Sequence, residues 1–358
     1  MADRKEEIIR LQNQIIRQMT DANLRSIGED LWGRHPLDKS PRENASPPPG
    51  YPAVPDVFGK DGREARQAAE ETAEAAREPE DIEKLKEELH SYIGLTVVKA
   101  EVESLINLVK VNKLRKTHDL PTEELSLHMV FSGNPGTGKT MIARLMSRIY
   151  HSLGILEKGH LIEVDRGGLV AGYVGQTAIK TGEVIQKALG GVLFIDEAYA
   201  LTTRGSQDYG QEAVETLLKA MEDKRDNLVV IVAGYVDLMN SFVHSNPGLE
   251  SRFNRFLYFP DYSVDEMLAI FDMRCQKAGY RPEDSAREEL KTILKEESED
   301  NIGFGNARGV RNLFEQAVSR QANRLAGQDA VTRDELMLLK REDLLPPADQ
   351  DNGEGVSE

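Results

Sequence analysis

At 358 residues, with a hydrophobic share of 39% and a net charge of −16, the chain is long enough for two compact units and a tail. Its longest apolar stretch, Leu228 to Val236, is far short of the roughly 20 residues that cross a bilayer, which argues against a membrane-spanning helix. Cys275, the single cysteine, closes no internal disulfide and has no histidine at metal-ligand spacing. The first residues carry no basic leader feeding an apolar core, so the expected location is the cytoplasm.

The acidic excess is unevenly spread. Residues 61–90 carry eleven acidic against five basic side chains, and residues 346–358 carry four acidic and none basic. Net charge is therefore a weak argument against a nucleic-acid partner. What disfavours one is the lack of a long basic run or aromatic-rich basic stripe in the remaining sequence.

In chain order, residues 1–27 place Ile8, Leu11, Ile15, Met19 and Ala22 at three- and four-residue steps, the pattern of an amphipathic helix. Residues 28–90 follow as a linker: seven of the fifteen prolines lie between Pro36 and Pro55, and an Ala/Glu-rich charged segment with the spacing of a solvated helix runs from Asp61 to His90. Compact structure is expected from about Tyr92. Between 91 and 260, short β-branched runs alternate with helical patterns: Leu127 to Ser132, Leu161 to Val164, Gly191 to Ile195, Leu228 to Ala233 and Phe256 to Phe259. Such alternation predicts a three-layer α/β domain on a mostly parallel sheet. After Pro260 the strand signals stop. Residues 263–278, 283–296, 306–326 and 332–341 read as helices, so 261–345 is expected to be a small all-helical domain, and 346–358 an acidic disordered tail.

Gly133-Asn134-Pro135-Gly136-Thr137-Gly138-Lys139-Thr140 fits GxxxxGK[ST], with an apolar strand before it and a helix opening at Met141 after it. Glycines let successive N–H groups turn inward onto phosphate oxygens, and the helix N-terminus adds a favourable dipole. The expected ligand is ATP with Mg2+: Lys139 on the β- and γ-phosphates, the Thr140 hydroxyl on the metal. A second element, Gly191-Val192-Leu193-Phe194-Ile195-Asp196-Glu197, is an interior strand that delivers two carboxylates to the ligand-binding edge of a parallel sheet. Asp196 is expected in the magnesium shell. Glu197 is expected to polarise the attacking water.

No guanine-recognition NKxD follows the loop and no LSGGQ segment is present, while an acidic pair at a strand end followed by helices favours the AAA+ class. From about Tyr92 to Leu345 the chain resembles the AAA+ branch that contains red-type Rubisco activases and stage V sporulation K-like ATPases. The residues that carry the resemblance are Tyr92-Ile93-Gly94-Leu95, the phosphate loop, Gly172-Tyr173-Val174-Gly175-Gln176-Thr177, Phe194-Ile195-Asp196-Glu197-Ala198-Tyr199, Val232-Ala233-Gly234-Tyr235 and Gly305-Asn306-Ala307-Arg308. The resemblance implies that Ile93 and Gly94 line an adenine pocket. It implies that Arg252 and Arg255 are arginine fingers facing a neighbouring subunit's nucleotide, and that Arg308 is the sensor-2 arginine, with Arg311 as fallback. It also implies that Tyr173, Val174 and Gly175 form an aromatic pore loop; packing of Tyr173 on its own helix is the alternative. The sensor-1 position departs from the class, where a polar residue, often Asn, ends the strand; Gly234-Tyr235-Val236-Asp237 leaves Tyr235 and Asp237 as alternatives.

The resemblance thus implies a homo-oligomer, hexameric in the manner of the class, that uses ATP hydrolysis to remodel a protein client, with pore-loop threading as one route. The competing reading is a nucleotide-switched scaffold that recruits partners through residues 1–90.

Overall fold

The computed structural model describes residues 78–122, 125–173, 175–202, 209–299, 303–328 and 330–345. The amphipathic N-terminal helix, the proline-rich linker, the acidic tail and Val174 lie outside the described residues.

The five apolar runs form one parallel sheet. Its strands are β1 (Met129–Gly133), β2 (Leu161–Val164), β3 (Val192–Ile195), β4 (Val229–Gly234) and β5 (Arg255–Phe259), in the order β2-β3-β4-β1-β5. Every residue of β3 and β4 is buried. That explains their unbroken apolar sequences, because a central parallel strand is covered on both faces. Edge strand β5 alternates instead: Leu257 and Phe259 are buried, Phe256 and Tyr258 exposed.

Helices α1 (Ile82–Ser91), α2 (Thr96–Thr117) and α3 (Lys139–Ser152) share one core with the sheet, centred on Ile106, Phe131, Tyr150 and Phe194. The second face is covered by α4 (Arg166–Leu169), α5 (Gln176–Ala188), α6 (Gly210–Asp223), α7 (Val236–His244) and α8 (Pro247–Arg252), around Ile195, Val214, Leu217 and Phe242. This is the expected three-layer domain.

Two expectations require correction. The charged segment was expected to stay solvated through His90, yet α1 buries Leu85 and Leu89 completely. Ile82, Leu85 and Leu89 make a narrow apolar stripe in an otherwise charged sequence, and Arg148 of α3 fastens its polar side to Glu80 and Glu88 at 2.6–2.9 Å. The second correction concerns the small domain. It contains α9 (Val264–Ala278), β6 (Arg281–Pro282), α10 (Asp284–Glu299), α11 (Ala307–Leu325), α12 (Arg333–Met337), β7 (Leu338–Leu339) and α13 (Arg341–Leu344). The single helix expected over 332–341 is thus interrupted by a strand that pairs in parallel with Arg281–Pro282. The buried Gln321 amide explains the break: it donates to the carbonyls of Glu335, Leu336 and Leu338 at 3.3, 3.1 and 2.7 Å, drawing on acceptors that a continuing helix would use internally. The chain restarts at α13, where Asp343, 1% exposed, pairs with Arg324 at 2.8 Å and accepts from Lys340 N. No helix among the described residues is long and apolar enough to cross a membrane.

Candidate functional site

The end of β1 meets the start of α3 in a loop whose glycines are required by space, by angle or by both. A Cβ at Gly133 would stand 2.3 Å from the Phe259 carbonyl oxygen, and one at Gly136 only 2.1 Å from that of Gly305. Gly136 and Gly138 also hold φ of +74° and +96°, the left-handed region that side chains disfavour. Thr137 is wholly buried and its hydroxyl donates to Asn134 O at 2.8 Å, which closes the loop from inside. Lys139 donates from Nζ to Gly133 O and Asn134 O, both at 2.8 Å. Burial pulls its pKa below the ordinary lysine value, while the nearby Asp196 carboxylate opposes that shift.

A pocket of about 400 Å³ opens over this loop. Pro135, Gly136, Gly138, Lys139, Thr140 and Met141 form its floor, whereas Asn134 turns its amide away to Asp261, at 2.9–3.0 Å. Buried β3 brings Asp196 and Glu197 to one wall. Asp196 N donates to Val164 O at 2.8 Å, and the Asp196 carboxylate accepts from Glu197 N at 3.0 Å. Glu197 holds φ +49° and ψ +42°, a left-handed conformation that costs energy outside glycine and turns the chain into the short helix Ala198–Leu201. Beyond it, burial and the Glu197 charge push the Tyr199 hydroxyl up to about 12. Of the two sensor-1 alternatives, Tyr235 lines the pocket and Asp237 does not.

The opposite wall belongs to the small domain. Gly305 packs directly on Gly136, and Ala307 N donates to Gly136 O at 3.2 Å. Asn306, buried at φ +53°, joins three parts of the chain: its Nδ2 donates to Pro135 O at 3.3 Å and to Asp261 Oδ1 at 2.8 Å, and its Oδ1 accepts from Tyr262 N at 2.9 Å. Immediately afterwards α11 presents Arg308 and Arg311 to the pocket. Arg311 is paired with Glu315 at 2.7 Å, and the Arg308 side chain has no hydrogen bond or ion pair among the described residues. A further lining residue, Arg274 of α9, belongs to no motif and was missed by sequence reasoning. The available signal was its register: Arg274 stands seven residues after buried Met267 and three after buried Phe271, on a stripe that is otherwise apolar.

Other candidates lie elsewhere. Ile93 and Gly94 are not in the pocket lining. They form the turn into α2, with φ +62° at Gly94, where a Cβ would come within 2.4 Å of Glu266 Oε1 on α9. Leu95 beside them approaches Gly138, so the turn borders the loop rather than the pocket. Arg252 and Arg255 do not line this chain's own pocket either. Arg252 pairs with Glu222 at 3.0 Å, its Nε buried and unpartnered; Arg255 donates from Nε to Ser126 O at 3.2 Å at the start of edge strand β5. Tyr173 is 73% exposed, not packed on the helix that follows, and a Cβ at Gly172 or Gly175 would meet no atom within 4 Å.

Comparison with known proteins supplies a frame for this geometry. The family described as "ATPase family associated with various cellular activities (AAA)" matches residues 129–261, and "AAA lid domain" matches residues 263–354. The chain is similar to stage V sporulation protein K of Bacillus subtilis, 40% identical over 265 residues, 74% of this chain and 82% of that protein. It is similar to the plasmid protein CbxX of Cupriavidus necator, 46% identical over 71% of this chain and 80% of that protein. It is also similar to the chloroplastic ribulose bisphosphate carboxylase/oxygenase activase of Cyanidioschyzon merolae, 44% identical over 71% of this chain and 87% of that protein.

Proposed function

The chain belongs to the AAA family of ATPases, and on that premise we propose that it assembles into a homo-oligomeric ring, a hexamer, in which ATP hydrolysis remodels a protein client. The carrying observation is a division of labour: Lys139, Asp196, Glu197 and Arg308 converge on one pocket, while Arg252 and Arg255 lie outside it. A site so arranged is complete within one subunit for binding, and for turnover only beside a second.

In this reading the phosphate loop and Lys139 hold the phosphates, and the turn at Ile93 and Gly94 bounds the adenine end. Thr140 and Asp196 offer the pocket a hydroxyl and a carboxylate, hard oxygen donors that fit magnesium, which takes one or two protein ligands beside phosphate oxygens. Bound there, the ion would neutralise charge on the phosphates. Glu197, an exposed carboxylate across from Lys139, orients the attacking water. Arg252 and Arg255 stabilise transition-state charge in the neighbouring subunit's pocket, a contribution worth about 10³ to 10⁵ in rate where such fingers operate. Arg308 carries the state of the phosphates to the lid, and Tyr235 supplies the sensor-1 contact.

Exposed Tyr173, on a loop with open space around both glycines, supports client contact by threading: an aromatic ring grips varied sequence through apolar and stacking contact. The activase relative makes a carboxylase one candidate client.

Paired variants test the reading. Lys139→Ala should abolish tight ATP binding in an equilibrium titration, whereas Glu197→Gln should bind ATP normally and lose turnover; equal loss of binding in both would sink the assignment. Affinity capture with Glu197→Gln in ATP should retain a client in the ring. Recovery of partners only through residues 1–90, unaffected by Tyr173→Ala, would favour the switched scaffold instead.

A further inference from the structure

We propose that Arg274, on lid helix α9, is a second phosphate-binding cation of the nucleotide pocket, holding the polyphosphate chain from the lid side. The proposal rests on the nucleotide reading above and goes beyond it by assigning a contact that no motif marks.

Placement is the first argument. Arg274 shares the pocket with Lys139, Thr140, Asp196, Glu197 and Arg308, whereas the adenine-side turn at Ile93 and Gly94 is absent from the lining. The compartment is therefore the one for phosphates. Helix α9 spans both ends of the site: Glu266 in its first turn abuts Gly94, and Arg274 follows eight residues later, about 12 Å along the axis at 1.5 Å per residue. Its position on the inward stripe carries the side chain to the place where the apolar core gives out into the pocket.

The second argument is electrostatic. Arg274 is half-buried, and its side chain has no hydrogen bond or ion pair among the described residues. The acid nearest to it on α9, Asp272, is engaged by Arg287. Arg311, the other lid cation at the rim, is already paired with Glu315. This leaves Lys139, Arg274 and Arg308 as three cations over a compartment whose only lining carboxylates among the described residues are Asp196 and Glu197. A half-buried guanidinium without an anion is unfavourable, and a nucleotide polyphosphate supplies the missing charge. The planar fork of arginine matches two phosphate oxygens at once, which an ammonium does not. Because α9 packs on α11, a phosphate chain held by Arg274 and Arg308 together would tie both lid helices to the state of the nucleotide.

The test is a titration of the full chain with fluorescent ATP, fluorescent ADP and unlabelled adenosine by competition. Arg274→Ala should weaken ATP and ADP by about tenfold or more, the usual loss of one charged hydrogen-bonding partner, and leave adenosine unchanged. Arg274→Lys should recover part of the loss, and Lys277→Ala, which removes an exposed cation from the same helix outside the pocket lining, should change none of the three. Should Arg274→Ala fail to fold, Arg274→Gln keeps the aliphatic stem and the same expectation. Equal weakening of ATP and adenosine, or ATP affinity within twofold of the native chain, would overturn the proposal while leaving the ATPase reading intact. Failure of the native chain itself to bind ATP would overturn both.

Discussion

Two glycine-bounded loops of this molecule look alike in sequence and are opposites in structure. Between Gly133 and Gly138 the backbone at Gly133 and Gly136 is pressed against Phe259, Gly305 and Arg308, and glycine is at those two positions because nothing larger fits. Between Gly172 and Gly175 there is open space at both glycines, and the residue presented, Tyr173, stands almost free of the protein. The first loop uses glycine for close approach, the second for freedom of a projecting ring. Composition alone does not separate these uses; only the neighbours do.

The contrast can be broken at its own residues. Gly136→Ala should have the largest effect, because its Cβ meets a backbone oxygen at 2.1 Å and its φ is +74°: thermal unfolding should show a loss of roughly 3 kcal/mol or more, with ATP binding lost as well. Gly175→Ala carries only the conformational penalty of φ +75° in open space, about 1 kcal/mol. Gly172→Ala should stay within about 0.5 kcal/mol of the native chain. Equal destabilisation at Gly136 and Gly175 would show that backbone angle, not crowding, sets both.

Function should divide in the same way. Arg252→Ala and Arg255→Ala should lower turnover by about 10³ or more with nucleotide affinity nearly intact. Mixing either with Lys139→Ala subunits should restore some activity, because an intact finger then faces an intact pocket; full turnover by isolated monomers would refute action across a boundary. Tyr173→Ala should reduce client processing far more than ATP consumption. If it stops ATP turnover as completely as Glu197→Gln, Tyr173 belongs to the chemistry and not to the client.

The last effect expected is one of pH. His128 is buried, accepts from Val230 N at 3.0 Å, and is pushed down to about 4, chiefly by burial, with the Arg252 charge acting in the same direction. Its ordinary value is about 6.5, so between these values the unfolded chain holds a proton that the folded chain does not. Stability should therefore fall as pH drops from about 6.5 toward 4 and gain no further loss from this group below that. His128→Gln, which keeps an acceptor for Val230, should flatten the melting temperature across that window.

Much of the sheet was legible because each strand is a short apolar run rich in β-branched or aromatic residues, and β3 and β4 are buried on both faces. The residues carried by local motifs, Lys139, Thr140, Asp196, Glu197 and Arg308, all line the pocket. What escaped was non-local. Arg274 is one arginine in an ordinary amphipathic helix, and its meaning comes from α11 lying beside it. The break at Leu338 depends on Gln321, far back in sequence. The burial of α1 depends on three apolar residues that charged neighbours obscure. Ile93 and Gly94 illustrate the converse: the motif located their turn next to the loop, but the pocket wall there is made by other groups.

Asn306 has one more consequence. Its backbone sits at φ +53° and ψ −129°, a conformation that costs about 1–3 kcal/mol in a residue with a side chain. Three side-chain hydrogen bonds, to Pro135, Asp261 and Tyr262, hold it there. A lid swinging off the phosphate loop would lose the Pro135 bond and the Asn134–Asp261–Asn306 bridge together, so intermediate angles keep neither. The joint is thereby suited to behave less as a door on a free pivot than as an escapement, whose tooth is either seated between the two domains or out of the wheel.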